Sequence, residues 1–282
     1  MQFPEGFVEK YEAILEDEAR DFLASFEQEA VSAFRVNPLK ESQLSFADAI
    51  PHTPWGHYGK VSGKSPEHVT GFVYSQEPAA QMVAQVAQPL PGMKVLDLAA
   101  APGGKSTQLA AYLANQGVLV SNEISSKRAK ILVENMERFG ATNVVVTNES
   151  ADRLANVFKG YFDVIVLDAP CSGEGMFRKQ PDGMDYWSTD YPSQCASLQR
   201  EILEDAVTML AEGGRLVYST CTWAPEENEE IVHWLLDTYD FELLPVEHVN
   251  GMVAGIDLPE TARMYPHHFK GEGQFVAHLH FK

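Results

Sequence analysis

Three short stretches of this sequence carry residue types that could do chemistry. The first is Lys94–Thr107, KVLDLAAAPGGKST, where an apolar run broken by Asp97 leads into Ala99, Ala100, Ala101, Pro102, Gly103 and Gly104 and then a helix start. Small residues and glycines directly after a strand let the backbone approach a ligand closely, and the amides opening the next helix point into the same crevice. The other two are Asp168-Ala169-Pro170-Cys171 and Thr220-Cys221-Thr222, each following an apolar, β-branched run. A lone cysteine is usually a small buried apolar residue. Two at neighbouring strand ends, beside an acid and opposite a ligand loop, are expected to be reactive thiols. Cys195, in a helical run, has no such context and is expected to be structural.

The loop suits a nucleotide-type cofactor, and its spacing discriminates among several. A phosphate-cradling loop needs G-x-x-x-x-G-K-[ST]; Gly104-Lys105-Ser106 fits, but Ala99 stands where the first glycine belongs. The dinucleotide pattern G-x-G-x-x-G is absent. An acid, then small residues, then glycines after a first strand fits S-adenosylmethionine (SAM), and a tight turn holding no ligand is the plain alternative. Glu123, just after the next apolar run, suits ribose hydroxyls and disfavours a phosphate. Glu149 after the third run could meet an adenine amino group, with Ser150 and Asp152 as alternatives.

The elements that must position these residues are legible as periodicity. Strand-like runs lie at 95–98, 118–122, 143–147, 162–167 and 214–220, with helical runs between them, such as 125–139 and 194–211. Such alternation predicts an α/β fold with a mainly parallel, Rossmann-like sheet and helices on both faces, whose ligands bind at the carboxyl ends of the strands. Residues 4–30 read as two amphipathic packing helices, Asn37-Pro38 as a break, and 42–74 as a small irregular α+β region. A helix is expected from about Pro78, since proline suits a first turn. The division expected is 1–74, an N-terminal α+β domain, and 75–282, the cofactor-binding domain. In PHTPWGHYGKVSGK, Lys60 and Lys64 alternate with Trp55 and Tyr58; stacking on unpaired bases and packing of the loop on its own rings are both open readings.

Composition narrows the class. The 282 residues, 45% of them hydrophobic, suit one α/β domain with a small appendage. No apolar run reaches the length of a membrane span, and the acidic start MQFPEGFVEKYE lacks a signal-peptide core. Three scattered cysteines argue for a reducing, cytoplasmic setting, against disulfides and against a cysteine-based metal site. A formal net charge of −19 repels phosphates, so a nucleic-acid partner requires a local basic patch.

Taken together, DLAAAPGGKS (97–106), Glu123, LDAPCSGEGMFRK (167–179) and YSTCTWAPEENE (218–229) resemble the Sun/nucleolar-protein family of SAM-dependent RNA cytosine-5 methyltransferases. RVN (35–37) and the tail RMYPHHFKGEGQFVAHL (263–279) resemble further family motifs, and the likeness is nearest to the bacterial branch that methylates small-subunit ribosomal RNA. The resemblance implies a class I SAM-dependent methyltransferase sheet and a monomer with no metal. It implies SAM contacts from Leu98, Ala99, Ala100, Ala101, Pro102, Gly103, Gly104, Lys105, Glu123, Glu149 and Asp168. It also implies roles: Cys221 adds to carbon 6 of the cytosine, Asp168 meets ring nitrogen 3, Cys171 assists proton removal and release, and Lys105 faces the active site. A SAM-binding ribosome assembly factor without catalysis is the alternative. Expected RNA-facing groups are Arg35, Lys60, Lys64, Arg178, Lys179, Arg263, Lys270, His267 and His268, making a basic cleft on an acidic body. PEENEE (225–230) stands apart from that surface as a helix first turn. Two departures from the family pattern appear: Asn148-Glu149-Ser150 replaces a clear aspartate, and Gln274 stands where an aromatic is common, a change expected to matter little. The branch usually continues into a C-terminal RNA-binding domain whereas this sequence stops at Lys282, so the expectation is a full catalytic core with weak RNA affinity by itself.

Overall fold

Aromatic residues at helical spacing fold the start of the chain into α1 (Phe7–Leu15) and α2 (Ala19–Ala24) in a computed structural model that describes all 282 residues. Phe7, Tyr11, Phe22 and Phe26 form one buried cluster with Phe177, Trp187, Trp223 and Tyr265, so these helices are bolted to loops far along the chain. An antiparallel sheet follows in the order β2 (Gly56–Tyr58), β1 (Ala33–Val36), β3 (Val73–Ser75), with a one-turn helix α3 (Pro66–Val69) before β3. Pro78 opens α4 (Pro78–Ala87), which Glu77 caps by accepting from the amides of Ala79 and Ala80.

From Lys94 strands and helices alternate: β4 (Lys94–Asp97), α5 (Gly104–Leu113), β5 (Val118–Asn122), α6 (Ser126–Phe139), β6 (Val144–Thr147), α7 (Ala151–Val157), β7 (Phe162–Asp168), α8 (Tyr191–Met209) and β8 (Leu210–Thr220). The five strands run parallel in the order β6-β5-β4-β7-β8. After α9 (Glu229–Thr238) come β9 (Phe241–Leu244), β10 (Val253–Gly255), β11 (Leu258–Met264) and β12 (Gln274–Phe281). β12 lies antiparallel to β8, while β11 and β9 share its other edge, making the sheet mixed rather than wholly parallel.

Alternate residues of the central strands enter different cores. Val164 and Val166 belong to one buried cluster with α4 and α5, and Ile165 and Leu167 to another with α8 and α9. Helices therefore cover both faces, as period-two strands buried on both sides require. Sequence order reverses between β4 and β7, which opens a crevice outside their carboxyl ends. No helix is long and apolar enough to cross a membrane.

Candidate active site

The loop after β4 is fixed by the strands beside it. Leu98 donates its amide to Val166 O at 3.0 Å and Ala100 to Asn122 O at 2.8 Å. Asn122 laces three strand ends together: its Nδ2 donates to Leu98 O (3.2 Å) and Glu149 O (2.9 Å), and its Oδ1 accepts from Thr147 Oγ1 (2.8 Å) and Glu149 N (3.1 Å). Gly103 turns into α5 at φ 121°, a backbone shape that side chains rarely allow. Beneath the loop Asp97 is fully buried, accepting from Ser106 Oγ at 2.7 Å while its Oδ1 has no partner. Burial pushes its carboxyl up to about 7 against the pull of Ser106. At the end of β5 Glu123 is 2% exposed; one oxygen accepts from Ser125 N at 2.9 Å and the other lies 3.6 Å from Arg128.

Two cavities open over these strand ends. One, of about 300 Å³, is lined by Leu98, Ala99, Ala101, Glu123, Glu149 and Asp168 among others, with Cys171 and Cys221. The second, of about 370 Å³, is lined by Ala99–Pro102, Gly104, Lys105, Asp168, Cys221 and Gln274, with Tyr74 and Lys179 at its sides. Of the expected cofactor residues, Gly103 lines neither cavity, and Ala100, Pro102, Gly104 and Lys105 line the second alone. Asp168 and Cys221 border both, so a group in one cavity can meet a group in the other there.

The register Asp168↔Ser219 levels the ends of β7 and β8, and the loops beyond bring Cys171 Sγ to 3.2 Å from Cys221 Sγ. The hydrogen bond to Cys221, then burial, then the Cys221 charge hold the Cys171 thiol well above the usual cysteine range. Asp168 is engaged on both oxygens: Lys105 Nζ donates to Oδ2, and Gln274 Nε2 donates to Oδ1 at 2.9 Å. Burial pulls the Lys105 ammonium down, but Asp168, Cys221 and Asp97 together outweigh it and raise its pKa, so it stays cationic.

The residues after the two cysteines are themselves paired, Ser172 Oγ to Thr222 Oγ1 at 2.9 Å, with a buried glutamate on each side. Thr222 donates to Glu174 at 3.0 Å, and Glu227 accepts from Ser172 N at 2.9 Å while its other oxygen touches Ser172 Oγ. That chain has three oxygen–oxygen contacts and two hydroxyl protons; a proton on Glu227 supplies the third, and burial pushes this carboxyl up to about 7. Glu174 also accepts from Tyr11 OH and from Trp187 Nε1 (2.9 Å), which ties α1 to the cysteine loop. Gly175 donates to Cys221 O at 2.9 Å and accepts from Gly273 N at 3.0 Å; a Cβ on Gly175 would lie 2.6 Å from Gly273 Cα, so only glycine allows this crossing.

Comparison with known proteins bears on this geometry. Residues 84–280 match the family model described as 16S rRNA methyltransferase RsmB/F, and residues 3–78 match the N-terminal domain of 16S rRNA methyltransferase RsmF. The chain belongs to the RsmB/F family. Proteins named ribosomal RNA small subunit methyltransferase F from Serratia proteamaculans and Cronobacter sakazakii are 36% and 38% identical over 98% and 92% of this chain. The chain spans 63% and 58% of their lengths. A crystal structure of a methyltransferase homologue from Pyrococcus horikoshii superposes with a TM-score of 0.84 at 32% identity, covering 97% of this chain and 94% of that one.

Several expected RNA-facing groups are instead internal to this RsmB/F-family chain. Arg35 is 1% exposed and donates to Gln76 Oε1 (2.6 Å), Gly104 O (2.8 Å) and Thr107 Oγ1 (2.7 Å), bracing the start of α5. Arg178 pairs with buried Glu272, and Arg263 with buried Glu229. His267 meets Glu18, and so does His268, which stays exposed together with that glutamate. The side-chain partners of these guanidinium groups, Gln76, Glu272 and Glu229, lie far along the sequence, so each arginine reads locally as a surface charge. Trp55 packs on Tyr112, 4.9 Å between rings, which favours the loop-packing reading for it. Lys60, Lys64, Lys179 and Lys270 remain exposed, Lys270 over the Tyr58 ring.

PEENEE, expected as a helix first turn, divides between a 3-10 turn (Pro225–Glu227) and the start of α9, and buries Glu227 and Glu229 as internal partners. Gln274, expected to matter little, is bonded into the centre of the site. Sequence reading missed Asn122, Glu174 and Glu227 outright. The available signals were a polar residue closing an apolar strand and the repeated Gly-Glu-Gly at 173–175 and 271–273.

Proposed function

We propose that this protein, acting as a monomer, transfers a methyl group from SAM to carbon 5 of cytosine in small-subunit ribosomal RNA through a covalent bond between Cys221 and the base. The observation carrying this reading is the 3.2 Å cysteine pair set beside the Lys105–Asp168 pair where two cavities meet. The names of the 36–38% identical relatives support the RNA class, and the family match supports methyl transfer.

The residues present fit SAM. The smaller cavity presents Leu98, Ala99 and Ala101, a nearly buried carboxylate in Glu123 for the ribose hydroxyls, and Glu149 toward the adenine end. When bound there, SAM supplies an electrophilic methyl carbon. The base enters the larger cavity, and an unpaired nucleotide leaves its stack at least expense.

In this reading the Cys171 thiol donates the hydrogen bond between the two sulfurs, and Cys221 attacks as a thiolate beside the Lys105 cation. The Cys221 sulfur pair forms the bond to carbon 6, the carbon 5–carbon 6 π electrons become available at carbon 5, and nitrogen 3 is stabilised from Asp168 and Lys105. Carbon 5 then takes the methyl. Once Cys221 is a thioether, the two Cys221 influences that raised the Cys171 pKa are gone. Cys171, which lines the open cavity, can then give its proton to water, take the carbon 5 hydrogen as a thiolate base, and so return the ring electrons that expel Cys221 as a thiolate. The proton's position thus times the two cysteines: attack first, release second.

The test incubates Cys171→Ala with SAM and small-subunit RNA, naked or in assembled subunits, and seeks a protein–RNA adduct on a denaturing gel. The expected result is an adduct that disappears in the Cys171→Ala/Cys221→Ala double variant. An adduct that survives loss of Cys221, or wild-type protein that forms no 5-methylcytosine on either substrate while binding SAM, refutes the mechanism; the second result leaves the non-catalytic assembly factor.

A further inference from the structure

Gln274 opens β12 with a side chain that is 1% exposed, yet it lines the larger cavity beside Asp168, Lys105 and Cys221. Its amide orientation is set by two partners. Asp168 Oδ1, at 2.9 Å, belongs to a carboxylate bonded to a lysine ammonium and accepts only, so the amide nitrogen must face it. Ser219 Oγ, at 2.6 Å, gives its own proton to Phe275 O at 2.7 Å, so it too must accept from Gln274. Both amide hydrogens are thereby engaged. The carbonyl oxygen Oε1 has no protein donor and, unlike several other glutamine oxygens of this chain, is not sealed among buried atoms.

We propose that Gln274 selects the base: its Oε1 accepts a hydrogen bond from the exocyclic 4-amino group of an aminopyrimidine held against Asp168. A 4-oxo pyrimidine such as uracil would set oxygen against oxygen at this point, leaving a buried acceptor without its donor. The same side chain is a positioning residue for Asp168, because it holds one carboxylate oxygen while Lys105 holds the other. The proposal rests on the cytosine methylation reading above, and it adds the group that would tell cytosine from uracil.

The experiment first maps the 5-methylcytosine made by the wild type in small-subunit RNA by bisulfite sequencing. Absence of any such product refutes the functional reading itself, and this inference with it. With the site mapped, kcat/KM is measured on RNA carrying cytidine there and on the same RNA carrying a pyrimidinone nucleoside that lacks the 4-amino group. Removing the amino group is expected to lower wild-type kcat/KM about tenfold, the worth of one buried hydrogen bond. For Gln274→Leu, and for Gln274→Met as a second variant of similar shape, the same substrate change is expected to matter less than about twofold, because the acceptor is already gone. Both variants should bind SAM as the wild type does, and should show a lower kcat on cytidine from the freed Asp168. An equal fall on all three proteins would overturn amino-group selection even with methylation intact.

Discussion

The loop after β4 and the loops around the two cysteines are built in opposite ways. The first is one continuous segment, Leu98–Gly103, held to the neighbouring strand ends by backbone bonds such as Leu98 N to Val166 O and Ala100 N to Asn122 O. The second is an assembly of Asp168–Phe177, Ser219–Glu229 and Arg263–Gln274, with α1 pressed against them. Its order comes from side chains: Glu174, Glu227, Glu229 and Glu272 are each no more than 4% exposed. A backbone-lined site is specified locally, by small residues and a turn. A side-chain site at loop crossings needs buried acids with assigned donors, since an unpaired buried charge is costly. Part of the −19 formal charge is therefore interior scaffold, with Arg178 and Arg263 as its counter-charges.

The sharpest break of this contrast removes one scaffold acid. Arg263 is 1% exposed and donates to both oxygens of Glu229, one at 2.6 Å, and to Trp223 O and Tyr265 OH. Glu229→Ala strands that guanidinium, and breaking a buried pair from one side typically costs about 3–5 kcal/mol. Urea unfolding is expected to show a loss of that size. A loss below about 1 kcal/mol, the scale of an exposed pair, would mean that the acids do not hold the reacting half together.

The same contrast decides what could be read from sequence. Strand–helix alternation, the ligand crevice and the adjacency of the two cysteine-bearing strand ends follow from periodicity, because each depends on residues close along the chain. The antiparallel β9–β12 extension carries no local sign of where it docks. The assignment of Arg35, Arg178 and Arg263 to an RNA surface failed for a related reason: their main side-chain partners lie 34 or more positions away, as in Arg263–Glu229, Arg35–Gln76 and Arg178–Glu272. Sequence shows a charge but not its partner. Gln274 is the extreme case, since its partner Asp168 is 106 positions away.

Each half also contains one carboxyl pushed up to about 7 mainly by burial, Asp97 under the cofactor loop and Glu227 behind the cysteines. Their folded-state pKa values exceed the unfolded ones, so between about pH 4.5 and 7 the folded protein binds protons that the unfolded chain has released. Stability from these groups is present at low pH and is lost as pH rises through about 7. From pH 5.5 to 7.5 the loss should be about 2 kcal/mol for each group. Urea unfolding at the two pH values is expected to show the decline in the wild type, and Asp97→Asn and Glu227→Gln should each remove about half of it. If Asp97→Asn alone flattened the profile, the proton assigned to Glu227 in the Ser172–Thr222 chain would have no support.

Within the cofactor half, the two acids offered to SAM should differ. Glu123 is nearly buried, with one oxygen held by Ser125 and the other beside Arg128. Glu149 is 41% exposed at its side chain and pairs at 2.9 Å with Arg153, one helical turn on. A charged acceptor sheltered from water contributes about 1.5–3 kcal/mol to a bound hydroxyl donor, so Glu123→Ala should weaken SAM binding by roughly 10- to 100-fold in calorimetric titration. Glu149→Ala loses only a solvent-screened surface pair, and its effect on stability should stay below about 0.5 kcal/mol. Its effect on SAM affinity should stay within about threefold, because water competes for any adenine amino group it meets. Equal losses at the two positions would show that side chains grip the cofactor as firmly as they grip the cysteine loops, and the division between a backbone-held loop and side-chain-held loops would fail at the point where it was drawn.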